Sequence, residues 1–454
     1  MKKISVLLLI ACVSNFFSCK KYLDKVPDKR LVIPHTLNDL QGLLDDYNNM
    51  ILTIGEGEVS ADDYYLTSND WRSLADEGLR RMYVWEKDYL FSSSANAWLF
   101  AYRIVYWSNV VLENIENIDR NHNNTNEWDD LKGQALFMRG KTFLDIATVW
   151  AQAYDMEDAN NEPGIPLRLN ADFNIPSTRA GLADTYQQII KDLSEAALLL
   201  KDSSVHPVRP SRAAAYGMLA RAYLYMRDYT NCLHYSELSL RLKNDLMDYN
   251  ELQGDALFPI KEFNKEVIFA SYMAAPQALN INRAKIDSNL YSSYAADDLR
   301  RKIFFRDNGD GTVGFRGSYF GGLALFSGLS VNELYLQLAE CLIRQGDVNG
   351  GLSYLNVLLK TRWKVEDGTS LYKFKTASSA SEALDIVLTE RRKELLMRGL
   401  RWADIKRLNK DDRNIGIRRK VEGKIYELPP NDLRYALPIP EDVIDRTGMP
   451  QNPR

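Results

Sequence analysis

Two stretches of the chain repeat one helix-pair pattern, and this repetition limits the fold more than any other feature. Residues 211–240 read SRAAAYGMLARAYLYMRDYTNCLHYSELSL. Tyr216, Leu219, Ala220 and Tyr223 fall at i, i+3, i+4 and i+7, which is one face of a helix. Arg227-Asp228 marks a tight turn. Cys232, Ser236 and Ser239 then place small residues on the facing side of a second helix. Large side chains seated against small ones let two helices approach closely. Residues 333–359 repeat the pattern, with Tyr335, Leu338, Ala339 and Leu342, a turn at Gly346-Asp347, and Gly351 in the partner helix.

This spacing matches the tetratricopeptide pattern, a small residue with an aromatic three positions on and small residues in the partner helix. Ala220 and Ala339 are 119 residues apart, which is not a multiple of the repeat length. The scaffold is therefore an interrupted helical stack with insertions, not a regular solenoid. Further helices are predicted over 95–118 and 128–154, giving a first pair at about 95–154. Another over 184–201 joins the repeat to make a block at about 184–240, and the second repeat spans about 330–360. Leu37, Leu40, Leu43 and Leu44 sit at helical spacing behind Thr36, a predicted N-cap. Residues 244–329 break the helical habit. Val267 to Ala270 reads as a short strand, and seven glycines between 309 and 328 make the end of this insertion turn-rich. Asp307-Asn308-Gly309-Asp310-Gly311 resembles a calcium loop but fails the EF-hand spacing, so a hairpin turn is expected.

The first eighteen residues read as an export signal. Lys2 and Lys3 precede an apolar run from Ile4 to Val13 that is too short to span a bilayer. Ser18-Cys19 fits a lipoprotein processing site, in which the Cys19 thiol is acylated and becomes the mature N-terminus. Cys12 also fits, but cleavage there leaves a very short apolar run. Residues 19–35 read as a lipidated N-terminus and linker, and 36–454 as a single domain ending in a helix and tail over 381–454. Cys232 and Cys341 lie inside the repeats, where a buried small-residue role explains them better than a disulfide or metal. A net charge of -4 excludes a basic field for nucleic acid.

Several segments together resemble the SusD/RagB family of outer-membrane nutrient-binding lipoproteins. They are Ser18-Cys19 with Tyr22-Leu23-Asp24, GQALFMRGKTFLDIATVW, ARAYLYMRDY, DDLRRKIFF, ELYLQLAECLIRQGD, TERRKELLMRGLRWADIKRL, ALPIPEDVID and Gln451-Asn452-Pro453. The resemblance implies a mainly α fold, a tetratricopeptide-like scaffold of four helix pairs with an irregular, loop-rich ligand-binding region. It implies a protein with no cofactor that caps a SusC-like TonB-dependent transporter at the cell surface and hands over an oligosaccharide or a peptide. It implies a lipid anchor in the outer membrane, facing outward, although the leader begins Lys20-Lys21 rather than with acids. Arg398 stands where relatives usually carry an acid and Leu400 where a His is common. Glu390 to Lys393, which alone reads as a solvated charged face, becomes a packed structural helix on this resemblance.

A lipid-anchored glycoside hydrolase is the rival class. Glu56, Glu58, Asp62 and Asp63 offer paired carboxylates near aromatics, but clustered acids in a loop are more often solvated. His35, His122, His206 and His234 show no metal-ligand spacing. Two aromatic segments outside the stack are the expected ligand contacts. One contributes Asn69, Trp71, Arg72 and Trp85, the other Arg316, Tyr319 and Phe320. Trp71 is the expected stacking platform, Tyr319 and Phe320 face it, and Asn69 and Arg316 donate hydrogen bonds.

Overall fold

The computed structural model describes residues 34–454, with 94, 274 and 275 left out. The export signal, Cys19 and most of the linker lie outside the described residues.

Helix α1 (Leu37–Leu44) starts at Thr36, whose side chain accepts from the Asp39 N–H while Asp39 returns a bond to the Thr36 N–H, a complete capping box. Among the described residues eight further helices form the stack: α2 (Ala97–Ile115), α3 (Thr125–Trp150), α4 (Leu182–Leu199), α5 (Arg212–Met226), α6 (Tyr229–Leu242), α7 (Val331–Arg344), α8 (Val348–Lys360) and α9 (Ala380–Glu394). Each packs on its predecessor, and α9 also packs on α7.

Close approach is built in by small residues. A Cβ on Gly140 of α3 would lie 3.0 Å from Asp192 Cβ and 3.1 Å from Leu193 Cγ on α4. Leu219, Ala220, Cys232, Ser236 and Ser239 are all buried, as the repeat pattern requires. Tyr216 and Tyr223 differ. They are half-buried and pack on Tyr235 at the edge of the α5–α6 pair, Tyr223 in parallel stacking at 5.6 Å. A phenol keeps its hydroxyl in water more cheaply at an edge than in a core. Both repeat turns behave alike. Arg227 adopts a left-handed φ of 61° and Asp228 caps α6, while Gly346 has φ 93° and Asp347 caps α8.

Two short ladders tie the insertion to the N-terminal segment, and a third closes it on itself. Tyr64 pairs with Ile286, Leu52 with Tyr272, and Leu329 with Phe269. Residues 305–307 and 313–315 form a hairpin. The acids of its turn are used by the turn itself: Asp307 accepts from the Gly309 N–H at 2.8 Å and Asp310 from the Thr312 N–H at 3.0 Å.

The charged run on α9 is buried, with Glu390, Arg391, Lys393 and Glu394 all under 5 % exposed. Arg300 of the insertion reaches Asp298, Glu390 and Glu394 at 2.7, 2.6 and 3.1 Å. Arg362, after α8, joins Glu394 to Glu266. Helix α10 (Arg401–Asn409) adds Arg407, which grips both oxygens of Glu340 on α7 at 2.6 and 2.8 Å. Bidentate pairs of this kind offset the cost of burying charge only when every lone pair is used. The tail returns to α3, where Asn452 donates to the carbonyls of Trp150 and Leu437 at 2.7 and 2.6 Å. No helix of the described residues is long and apolar enough to cross a membrane.

Candidate ligand-binding site

A cavity of about 590 Å³ opens between α2, the connection around residues 166–177, and α11 (Glu441–Thr447) in the tail. Trp98, Tyr102 and Tyr106 lie at i, i+4 and i+8 on α2 and form its aromatic wall. Trp98 is pinned, edge-on to Trp150 at 5.1 Å and 4.8 Å from the Tyr102 ring. Tyr102 donates to the Pro166 carbonyl at 2.8 Å, and burial raises its pKa well above the ordinary phenol value. Tyr106 is 39 % exposed and Phe173 is 83 % exposed at the mouth.

The floor is tied to the stack. Asn109 of α2 donates to the carbonyls of Arg168 and Asn170 at 2.9 and 3.0 Å. Its own oxygen accepts from Arg139 of α3 at 2.9 Å, and Arg139 is bidentate on Asp192 of α4. Three helices thus hold the loop that carries Phe173. Asp442 lines the opposite side, and its Oδ1 is buried without a hydrogen-bond partner among the described residues. Asp442 is the one carboxylate among the lining residues described.

The residues expected from sequence lie elsewhere and are not assembled into one site. Trp85 is 1 % exposed, donates to the Ser60 carbonyl at 3.0 Å and lies under the Arg419 guanidinium at 4.7 Å. Tyr319 is fully buried, bonded to Glu266 and to Asn332, with the Arg398 guanidinium 3.9 Å over its ring. Both are core residues, because a charged partner from far along the chain covers each ring. Arg316 donates to the carbonyls of Ala256, Gly254 and Lys302, so its donors hold backbone. Phe320 is half-buried against Tyr272 at 4.6 Å. Trp71 is half-buried and donates to the Arg80 carbonyl at 3.0 Å. Asn69 is exposed beside it, and Arg72 is exposed and paired with Glu422 at 2.7 Å. The cavity escaped sequence reading because its aromatic stripe on α2 has the spacing of a core face.

Three of the acids offered for catalysis are also structural. Glu58 is buried and accepts from the Gly399 N–H at 2.9 Å; burial, then the neighbouring Asp63 and Asp62 carboxylates, push its pKa up. Asp62 is bidentate on Arg401, and Asp63 pairs with Arg392 at 2.9 Å. Among the described residues no cluster of three His, Cys, Asp or Glu is arranged to hold a metal.

Comparison with known proteins agrees with this architecture. Residues 21–224 match a family model described as starch-binding and associating with the outer membrane, and residues 331–454 match the SusD family model. The chain belongs to the SusD/RagB family. SusD-like protein P2 of Formosa agariphila is 24 % identical over 417 residues, covering 78 % of this chain and 79 % of that one. Solved SusD-type structures share the fold. A putative sugar-binding protein of Bacteroides vulgatus superposes with a TM-score of 0.74 at 22 % identity, over 93 % of this chain and 99 % of its own. A SusD superfamily protein of Bacteroides thetaiotaomicron gives 0.74 at 21 %, over 92 % and 100 %. A laminarin-binding SusD-like protein gives 0.65 at 15 %, over 92 % and 98 %.

Proposed function

We propose that this SusD-family protein is a cell-surface lipoprotein that captures an oligosaccharide in the α2 cavity and passes it to a SusC-like TonB-dependent transporter. The cavity carries the reading. On its wall Tyr106 stays open and offers a flat face for the C–H face of a pyranose, and Phe173 supplies a ring at the mouth. A laminarin-binding protein of the same fold supports a glycan ligand.

Calorimetric titration with starch and laminarin oligosaccharides, and with peptides of similar length, tests the reading. Tyr106→Ala and Phe173→Ala should each weaken glycan binding about tenfold, the usual effect of losing one hot-spot ring, with Tm unchanged. Trp71→Ala reports on the exposed ridge of Asn69, Trp71 and Arg72. Weakening there, with none in Tyr106→Ala, would move the site to that ridge. Tight binding of peptide and of no glycan would replace the ligand class. Release of shorter sugars on prolonged incubation would make the protein a hydrolase. The hand-over is tested by recovery of a large outer-membrane barrel with the protein from native membranes in mild detergent.

A further inference from the structure

Cys232 on α6 and Cys341 on α7 are both fully buried and are the free cysteines of the described residues. The two helices pack together and run antiparallel. Two contacts establish the register. Gln345 donates to the Tyr229 carbonyl at 3.4 Å at one end, and the Ser236 hydroxyl donates to Gln337 Oε1 at 3.1 Å four residues further along α6 from Cys232. One helical turn back from Ser236 is Cys232, and one turn forward from Gln337 is Cys341. The pairing therefore sets the two thiols opposite one another. The neighbouring Cys232 side chain, followed by burial, raises Cys341 well above the ordinary thiol range.

We propose that Cys232 and Cys341 form a disulfide that staples the first repeat to the second in the exported protein. The pair joins positions 109 residues apart in sequence, across the point where the insertion interrupts the stack. In the reaction each thiol loses its S–H bond and one S–S bond forms. The two protons and two electrons pass to the disulfide of an extracytoplasmic thiol–disulfide oxidant, which leaves as a dithiol. Once α7 has closed on α6 both thiols are buried out of reach of an oxidant, and thiolate is the reactive form. The bond thus forms during folding, before that interface closes. In a reducing cytosol the pair stays as thiols.

The full chain, exported and extracted from membranes without reductant, is denatured in N-ethylmaleimide, digested and weighed. Loss of residues 1–18 in the intact mass shows that the chain was exported, so failure of export and failure of pairing are separable. The expected result in processed protein is one linked species joining the Cys232 and Cys341 peptides, neither carrying the label, and separating on reduction. Reduction should also lower the wild-type Tm by roughly 5 °C and leave that of a C232A/C341A variant unmoved. Processed protein with maleimide on both cysteines, or with either joined to a different thiol, overturns the proposal.

Discussion

Glu394 shows how a single buried carboxylate is held charged. Burial alone would raise its pKa, but the Arg362 and Arg300 guanidinium groups, with hydrogen bonds from Arg362 and Asn332, outweigh that and hold it at about 2. A depressed folded value contributes stability that is complete above the unfolded value of 4.5 and is lost as pH falls from there toward 2. Glu394→Gln should cost about 3–5 kcal/mol at neutral pH, because two buried arginines lose a charge partner. It should also flatten the fall in Tm between pH 4.5 and the acid end. Glu58 has the opposite sign. Its pKa is raised, so its contribution is present below 4.5 and erodes as pH rises through neutrality. Glu58→Gln should raise Tm at pH 8 and leave it unchanged at pH 4; a parallel shift at both pH values would mean that Glu58 is ionised throughout.

Within the α5 helix, propensity and packing make opposed predictions, and the geometry decides between them. Replacing a mid-helix glycine by alanine normally gains about 1 kcal/mol. At Gly217 the new Cβ would sit 2.2 Å from Leu329 Cδ2, where the insertion returns to the stack. Gly217→Ala should therefore destabilise, and Ala220→Leu, at a fully buried position on the same helix, should cost about 1–3 kcal/mol by overpacking. Thermal melts check both. A stabilised Gly217→Ala would show that Leu329 swings aside at no cost. Helices α3 and α4, which anchor the cavity floor through Arg139 and Asp192, pack in the same series.

The described body is closed by contacts between segments far apart in sequence. Arg392 and Arg401 bind Asp62 and Asp63, Arg419 caps the carbonyls of Val59, Ala61 and Tyr83, and Asn452 locks the tail to Trp150. The segment around residues 59–83 is thus fastened to the C-terminal signature, and the α2 cavity lies where the tail crosses α2. The lipid anchor expected at Cys19 would tether this body at its start. Metabolic labelling with a fatty acid should mark the wild type and not Cys19→Ala. Label that persists there and disappears in Cys12→Ala would move the anchor to Cys12.

The stack was legible because helix packing is written locally. A 3.6-residue period with small residues at fixed offsets names both the helix and the face it buries, as Ala220, Cys232 and Gly351 do. The family's late signature was legible for the same reason, as a contiguous run of residues. What surrounds an aromatic outside a regular helix is not local information. Trp85 and Tyr319 look like sugar platforms until Arg419 and Arg398 are folded over them from far along the chain. The α2 stripe looks like core, yet Tyr106 is left open because the segments facing it, residues 166–177 and 442–449, meet there only in three dimensions. Periodicity states which side of a helix is apolar; only the tertiary packing decides whether that side meets protein or an open cavity, since the choice depends on partners more than fifty residues away.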